Sequence, residues 1–135
     1  MPRSPHIDLI RPPELSDRAP YAYAAVARDI SRLVFTAGAC PLDKDGATVA
    51  VGGLREQTDK AMDNLEIALR AAGVELSDVV KTTIYVASDD QGDLLAAWEV
   101  VRTRFGAHEP PSTLVGVTVL GYRDQLVEVE AVAVQ

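Results

Sequence analysis

The sequence predicts an α+β domain in which two amphipathic helices cover one face of a single sheet, in the order β-β-α-β-α-β-β. Three observations predict it. Runs of strand length rich in β-branched residues recur at 33–37, 79–86, 113–119 and 126–134. Two longer segments carry apolar residues at helical spacing. Glycine and proline clusters separate these segments. At 135 residues the chain, 1–135, is read as one domain with room for a core that needs no staples.

Residues 1–20 contain Pro2, Pro5, Pro12, Pro13 and Pro20 and read as an extended N-terminal arm rather than an element. Tyr21 to Ala27 alternates weakly as a first strand. Asp29-Ile30-Ser31-Arg32 is a turn, and Leu33-Val34-Phe35-Thr36-Ala37 is a stronger strand ending at Gly38, so the two are expected to form a hairpin. A loop follows over 39–53, broken by Pro41, Gly46 and the pair Gly52-Gly53. Leu54 to Ala72 is the clearest helix, with Leu54, Ala61, Leu65, Ala68, Leu69 and Ala72 on one stripe and Gly73 as its stop. Val79 to Val86 is the third strand. Asp89 and Asp90 favour the start of a second helix over Asp93 to Phe105, whose stripe is Leu94, Ala97, Trp98, Val101 and Phe105. Gly106 and Pro110-Pro111 end it. The last two runs, up to Leu120 and from Leu126 to Val134, flank a turn at Gly121-Tyr122-Arg123-Asp124 and read as an antiparallel pair.

Side chains alternate along a strand, so Val127, Val129, Ala131 and Ala133 share one face while Glu128 and Glu130 share the other. Two helices cover only one side of the sheet, and nothing remains in the chain for the other. That other side carries valines, leucines, threonines and few charges: Lys81, Glu128 and Glu130. A half-apolar face of this size is a liability in a monomer, and its expected cover is further copies of the same chain in a closed ring.

Composition narrows the function classes. A formal net charge of -7 with no basic run argues against nucleic acid as a partner. One cysteine, Cys40, allows no internal disulfide and fits a reducing, cytoplasmic setting. No signal-peptide core and no run of membrane-spanning length is expected, so no membrane partner is either. Two distant histidines and one cysteine offer no metal-ligand spacing, and the glycines form no phosphate loop, so neither metal nor cofactor is expected. His6 and His108 are not placed as partners for a serine nucleophile.

The spaced set Leu33-Val34-Phe35-Thr36-Ala37-Gly38 with Pro41 and Gly46, Glu56-Gln57 with Asn64-Leu65 and Leu69, and Ala72-Gly73 with Asp78-Val79-Val80-Lys81-Thr82-Thr83 carries a family likeness. Phe105-Gly106, Pro110 and the closing Val127-Glu128-Val129-Glu130-Ala131 complete it. From about Tyr21 onward the chain resembles the RidA/YjgF family of reactive-intermediate deaminases. The resemblance implies a chorismate-mutase-like α+β fold with two helices on one face of a mixed sheet. It implies a homotrimer with small-molecule clefts between subunits. It also implies hydrolysis of enamines and imines such as 2-aminoacrylate, without metal or cofactor. The family's glutamate in the closing strand falls on Glu128, the candidate catalytic residue that orients a water. The arginine that clamps the substrate carboxylate falls on Ser112, which offers one neutral hydroxyl in place of a charged fork. Losing such a pair in a buried site costs on the order of 2–5 kcal/mol. The serine of the family's Ser-Gly pair is Ala37, and an asparagine of the second helix aligns with Trp98.

The candidate substrate-binding residues are therefore Ser112, Gly38, Ala37, Tyr23, Tyr21, Leu114 and Arg123. Backbone groups near Gly38 and Ser112 hold the ligand in this reading, the tyrosines stand for an N-terminal tyrosine of the family, and Arg123 is a guanidinium that could reach a neighbouring cleft. Glu130, one pleat on from Glu128, reads as structural, Cys40 as a small buried residue, and Gly116 as a point of close backbone approach. The function expected is that of an imine-deaminase-type hydrolase with altered substrate preference. A non-catalytic, ligand-binding or chaperone-like trimer using the same cleft is the alternative. An endoribonuclease reading of the family is disfavoured by the acidity and by the lack of a paired acid–base histidine set.

Overall fold

The computed structural model describes residues 6–135. Four strands form a sheet in the order β3-β6-β4-β5: β3 (Leu33–Phe35), β4 (Val79–Val86), β5 (Ser112–Gly116) and β6 (Val127–Val134). Two helices, α1 (Leu54–Ala71) and α2 (Gln91–Phe105), pack on one face of it, and a separate two-stranded sheet joins β1 (Ile7–Ile10) to β2 (Ala24–Ala27). The sheet is mixed: β4 runs parallel to β5 and antiparallel to β6.

Three pairings differ from those the sequence predicts. Within the proline-rich stretch read as an arm, Ile7–Ile10 form β1, with Ile7 opposite Ala27 and Ile10 opposite Ala24. Pro12 and Pro13 follow this strand without interrupting it, and Ile7 is buried. The part of the arm over 1–5 lies outside the described residues. The expected hairpin of the second and third strands does not form, because β2 is taken by β1 and β3 pairs with β6. Nor do the last two strands pair with each other. The helix α2 is a crossover that brings β5 back parallel to β4, and β6 then pairs along β4's other edge. β4 and β6 both have eight residues and match over most of their length.

The helices follow their stripes. On α1 the buried side chains are Gln57, Thr58, Ala61, Met62, Leu65 and Leu69, whereas Ala68, expected on that stripe, faces solvent. Gly73, at φ +86°, supplies the left-handed turn after α1, and Val74 N–H bonds back to Leu69 O at 3.0 Å. Asp90 caps α2 by accepting from Gly92 N–H at 2.8 Å. Met62, Leu65, Leu69, Val101 and Phe105 meet Ile84, Val86, Val127, Val129, Ala131 and Ala133 in the core. Each large side chain there contributes roughly 1.5–3 kcal/mol by leaving water.

The alternation of β6 therefore turns Glu128, Glu130 and Val132 to the face that carries no helix. Their register partners on β4 are Tyr85, Thr83 and Lys81, and Phe35 on β3 lies opposite Val132. Phe35 is 71% exposed and Leu33 53%.

Candidate active site on the helix-free face

Glu128 gains its surroundings from the segment after β3, which continues along β6 as a single bridge. Ala39 N–H bonds to Val129 O at 2.7 Å and Val129 N–H to Ala39 O at 3.1 Å. With Ala39 opposite Val129, Gly38 and Cys40 flank the Glu128 side chain. A β-carbon on Gly38 would stand 2.0 Å from Glu128 Oε2, so no other residue fits beside the carboxylate as it is held. Cys40 Sγ lies 3.4 Å from Glu128 Oε1. Asn64 of α1 holds this segment from behind, donating to Cys40 O at 2.8 Å and Leu42 O at 3.0 Å.

The turn before β6 supplies the other neighbour. Gln125 is buried, and its Nε2 donates to Glu128 Oε1 at 3.2 Å and to Val127 O at 3.0 Å. Gln57, wholly buried on the apolar stripe of α1, donates to Asp124 O at 3.0 Å and accepts from Leu126 N–H at 2.9 Å. Thr48 Oγ donates to Arg123 O at 2.7 Å. Partial burial, the charge of Glu128 and its hydrogen bond push the Cys40 thiol up to about 11, with Gln125 acting in the opposite sense. Cys40 is therefore a protonated donor at neutral pH and a poor nucleophile.

One pleat on, Tyr85 O–H donates to Glu130 Oε1 at 2.5 Å. That hydrogen bond is the main reason the Tyr85 phenol is raised, with desolvation and the two glutamate charges adding to it. Glu130 thus has a phenol partner.

Of the residues predicted for the site, the subunit brings Glu128 and Gly38 together, with Ala37 exposed beside them. Ser112 lies opposite Thr82, which lies opposite Ala131, a register that belongs to the helix-covered face. Its hydroxyl donates to Pro110 O at 2.9 Å. Leu114 packs on the core. Tyr21 stands edge-on to Trp98 of α2 and to Tyr23, whose hydroxyl donates to Ser16 O, so Tyr21 sits against the helix layer and Tyr23 against the N-terminal segment. Arg123 is exposed in the turn that carries Gln125. Gln125 has no counterpart among the predicted residues. Gln57 interrupts an apolar helical stripe, and a polar residue at such a position is the one signal that could have found it.

Two of the clefts on the subunit border residues singled out in the sequence. One, of about 560 Å3, lies beside Gly38 and Cys40 and is lined also by Lys44, Lys60, Asn64 and Tyr122. The other, of about 580 Å3, lies at the ends of β4 and β5 between Ser88, Asp89, Gln91 and Gly116. A β-carbon on Gly116 would stand 2.6 Å from Ser88 O, the close approach the sequence predicts there. Among the described residues no three His, Cys, Asp or Glu side chains group as a metal site. No helix among them is long and apolar enough to cross a membrane.

Residues 13–135 match the family model described as Endoribonuclease L-PSP. A RutC family protein of Pyrococcus abyssi is 34% identical over 114 residues, covering 84% of this chain and 85% of its own. The mouse 2-iminobutanoate/2-iminopropanoate deaminase is 34% identical over 116 residues, covering 86% and 82%. Among solved structures, the Rid family protein YyfB of Yersinia pestis superposes with a TM-score of 0.87 at 28% identity, over 96% of this chain and 99% of that one.

Proposed function

The chain belongs to the Endoribonuclease L-PSP family, which includes the RidA, YjgF and UK114 proteins, and from that membership we propose that it is an imine-deaminase-type hydrolase of small molecules. The observation that carries the reading is the Glu128 carboxylate, held over Gly38 with one oxygen engaged by Gln125 and Cys40. Relatives with related sequences over most of their length bear the name 2-iminobutanoate/2-iminopropanoate deaminase.

In the proposed reaction an enamine tautomerises to its imine and water adds to the C=N carbon. The imine is attacked in its protonated form: Glu128 takes a proton from the water as the C–O bond forms, giving a neutral carbinolamine. Glu128 returns that proton to the amino nitrogen, and as the C–N bond breaks it accepts the hydroxyl proton, so that ammonia and a carbonyl compound leave. No redox step or covalent enzyme intermediate is needed. Small-molecule work fits an acidic chain of net charge -7 better than RNA cleavage, since a polyanion calls for a basic track.

The assembly we propose is a homotrimer whose subunits cover each other's helix-free faces. Exposed Phe35 and Leu33 beside Val132 support it. Such an arrangement would let Ser112, the tyrosines or Arg123 of one subunit meet Glu128 of another, which they do not do within a subunit. Because Ser112 stands where the family carries its carboxylate-binding arginine, the preferred substrate is proposed to differ from simple 2-imino acids. The same departure favours the second reading, a trimer that binds ligands in the cleft without catalysis.

A coupled assay decides between them. Wild-type protein should release carbonyl product from 2-aminoacrylate or a longer imine faster than buffer, and Glu128→Ala should return the rate to background. Ser112→Arg should raise activity on 2-imino acids. If the wild type matches buffer on every imine offered, the binding reading replaces the catalytic one.

A further inference from the structure

A carboxylate can present either oxygen to a substrate, and its terminal torsion is soft and two-fold, so a water-orienting glutamate needs something to choose between them. Around Glu128 the choice is made by hydrogen bonds whose directions are fixed. Gln125 Oε1 accepts the Tyr122 N–H at 3.1 Å, which leaves Nε2, with its two hydrogens, facing Val127 O and Glu128 Oε1. Flipping that amide would set an NH2 against an N–H and an oxygen against a carbonyl. Gln57 fixes the turn in the same way, with Oε1 on Leu126 N–H and Nε2 on Asp124 O and, more loosely, Ala50 O. The Cys40 thiol has one hydrogen and two acceptors within reach, Gly38 O at 3.5 Å and the charged Glu128 Oε1 at 3.4 Å.

We propose that Gln125, anchored through the turn by Gln57, and the Cys40 thiol are positioning residues for Glu128: they occupy Oε1 and leave Oε2, against Gly38, as the oxygen that meets the reacting water. This rests on the reading of Glu128 as the water-orienting acid. Neither residue touches substrate in this scheme. Both act by fixing which oxygen is left without a protein donor and by stabilising the carboxylate charge with donors that need no rearrangement during the reaction. Cys40 serves as a donor, not as a nucleophile, and the high thiol pKa agrees with that use.

The test has two arms. The chain has one cysteine, so the ultraviolet absorbance of its thiolate reports the triangle of Cys40, Gln125 and Glu128 without any turnover. Removing the amide in Gln125→Leu should move the Cys40 midpoint further up, and removing the carboxylate charge in Glu128→Gln should move it down. In the kinetic arm, Gln125→Leu should lower kcat about tenfold, the size expected for one hydrogen bond to a charged group, with KM changed less than about twofold. Cys40→Ala should lower kcat by a smaller factor, and Cys40→Ser, which keeps a donor, should recover most of that loss. A Cys40 midpoint unmoved in both folded variants overturns the proposal, as does a loss that appears in KM with kcat intact. If Gln125→Leu fails to fold, Glu128→Gln and the two Cys40 variants carry the same decision. If the wild type turns over no imine, the functional reading fails by itself, and the thiol titration still shows whether Glu128 is held as described.

Discussion

Cys40 keeps its proton because of where its backbone runs. The bridge between Ala39 and Val129 sets the sulfur beside a carboxylate in a half-buried spot, and each of these circumstances penalises the thiolate. Against an ordinary value of 9.0 the thiol stands at about 11. The folded chain therefore holds this proton more tightly than the unfolded chain does. The resulting contribution to stability is full below pH 9, and it is lost as pH rises through 11. The urea midpoint of the wild type should accordingly fall between pH 8.5 and pH 10.5 by more than that of Cys40→Ala. Alkylation by iodoacetamide at pH 8 should run about a hundredfold slower than for a free thiol, since the thiolate fraction is lower by that factor. A rate near that of a small thiol would show that the burial of Cys40 and its contact with Glu128 do not hold as described. The sequence alone could place Glu128, because strand alternation separates it from Val127 and Val129. It could not place Cys40 next to it, since that contact spans 88 positions and depends on which strand β6 pairs with.

At the scale of elements, α1 does more than cover the sheet. Gln57 sits among Ala61, Met62 and Leu65 on the buried stripe and meets the backbone of the turn before β6. A buried amide in such a stripe is tolerable only when its hydrogen bonds are made, and here they are made to groups that have no other partner in a ladder. Gln57→Leu should leave Leu126 N–H and Asp124 O unsatisfied and destabilise the fold by about 2–3 kcal/mol in urea titration. A change below about 0.5 kcal/mol would mean that water replaces the side chain. Strand and helix positions were legible in the sequence because each is a local pattern: β4 spans the predicted 79–86, and α2 begins two residues before the predicted start. Pairing was not legible. The turn at Gly121 to Asp124 has the composition of a hairpin, yet the crossover through α2 gives β5 to β4 first and leaves β6 the opposite edge. The prolines of the first twenty residues likewise mask β1, whose four residues are too few to announce themselves by alternation.

For the whole molecule, the decisive feature is a sheet with helices on one side only. Phe35, 71% exposed, stands across from Val132 on the bare side, on the sheet that also carries Glu128. In an isolated subunit this ring would contact water over most of its surface, and aromatic burial is among the largest single contributions available to an interface. The proposed trimer gives it cover. Phe35→Asp would instead place three carboxylates where three rings pack, without touching the core between sheet and helices. Light scattering should give the wild type a mass of three times 14.5 kDa and the variant a mass near 14.5 kDa, with helix and strand content preserved. Activity should vanish with the trimer if residues of a second subunit complete the cleft, and should survive if Glu128 and its neighbours in one chain suffice. A wild type that scatters as a single subunit at micromolar concentration would rule out a shared cleft and confine any chemistry to the groove beside Gly38 and Cys40. The two measurements together therefore locate the site: mass fixes what covers the bare face, and the activity of the dissociated variant fixes how much of the site that cover supplies.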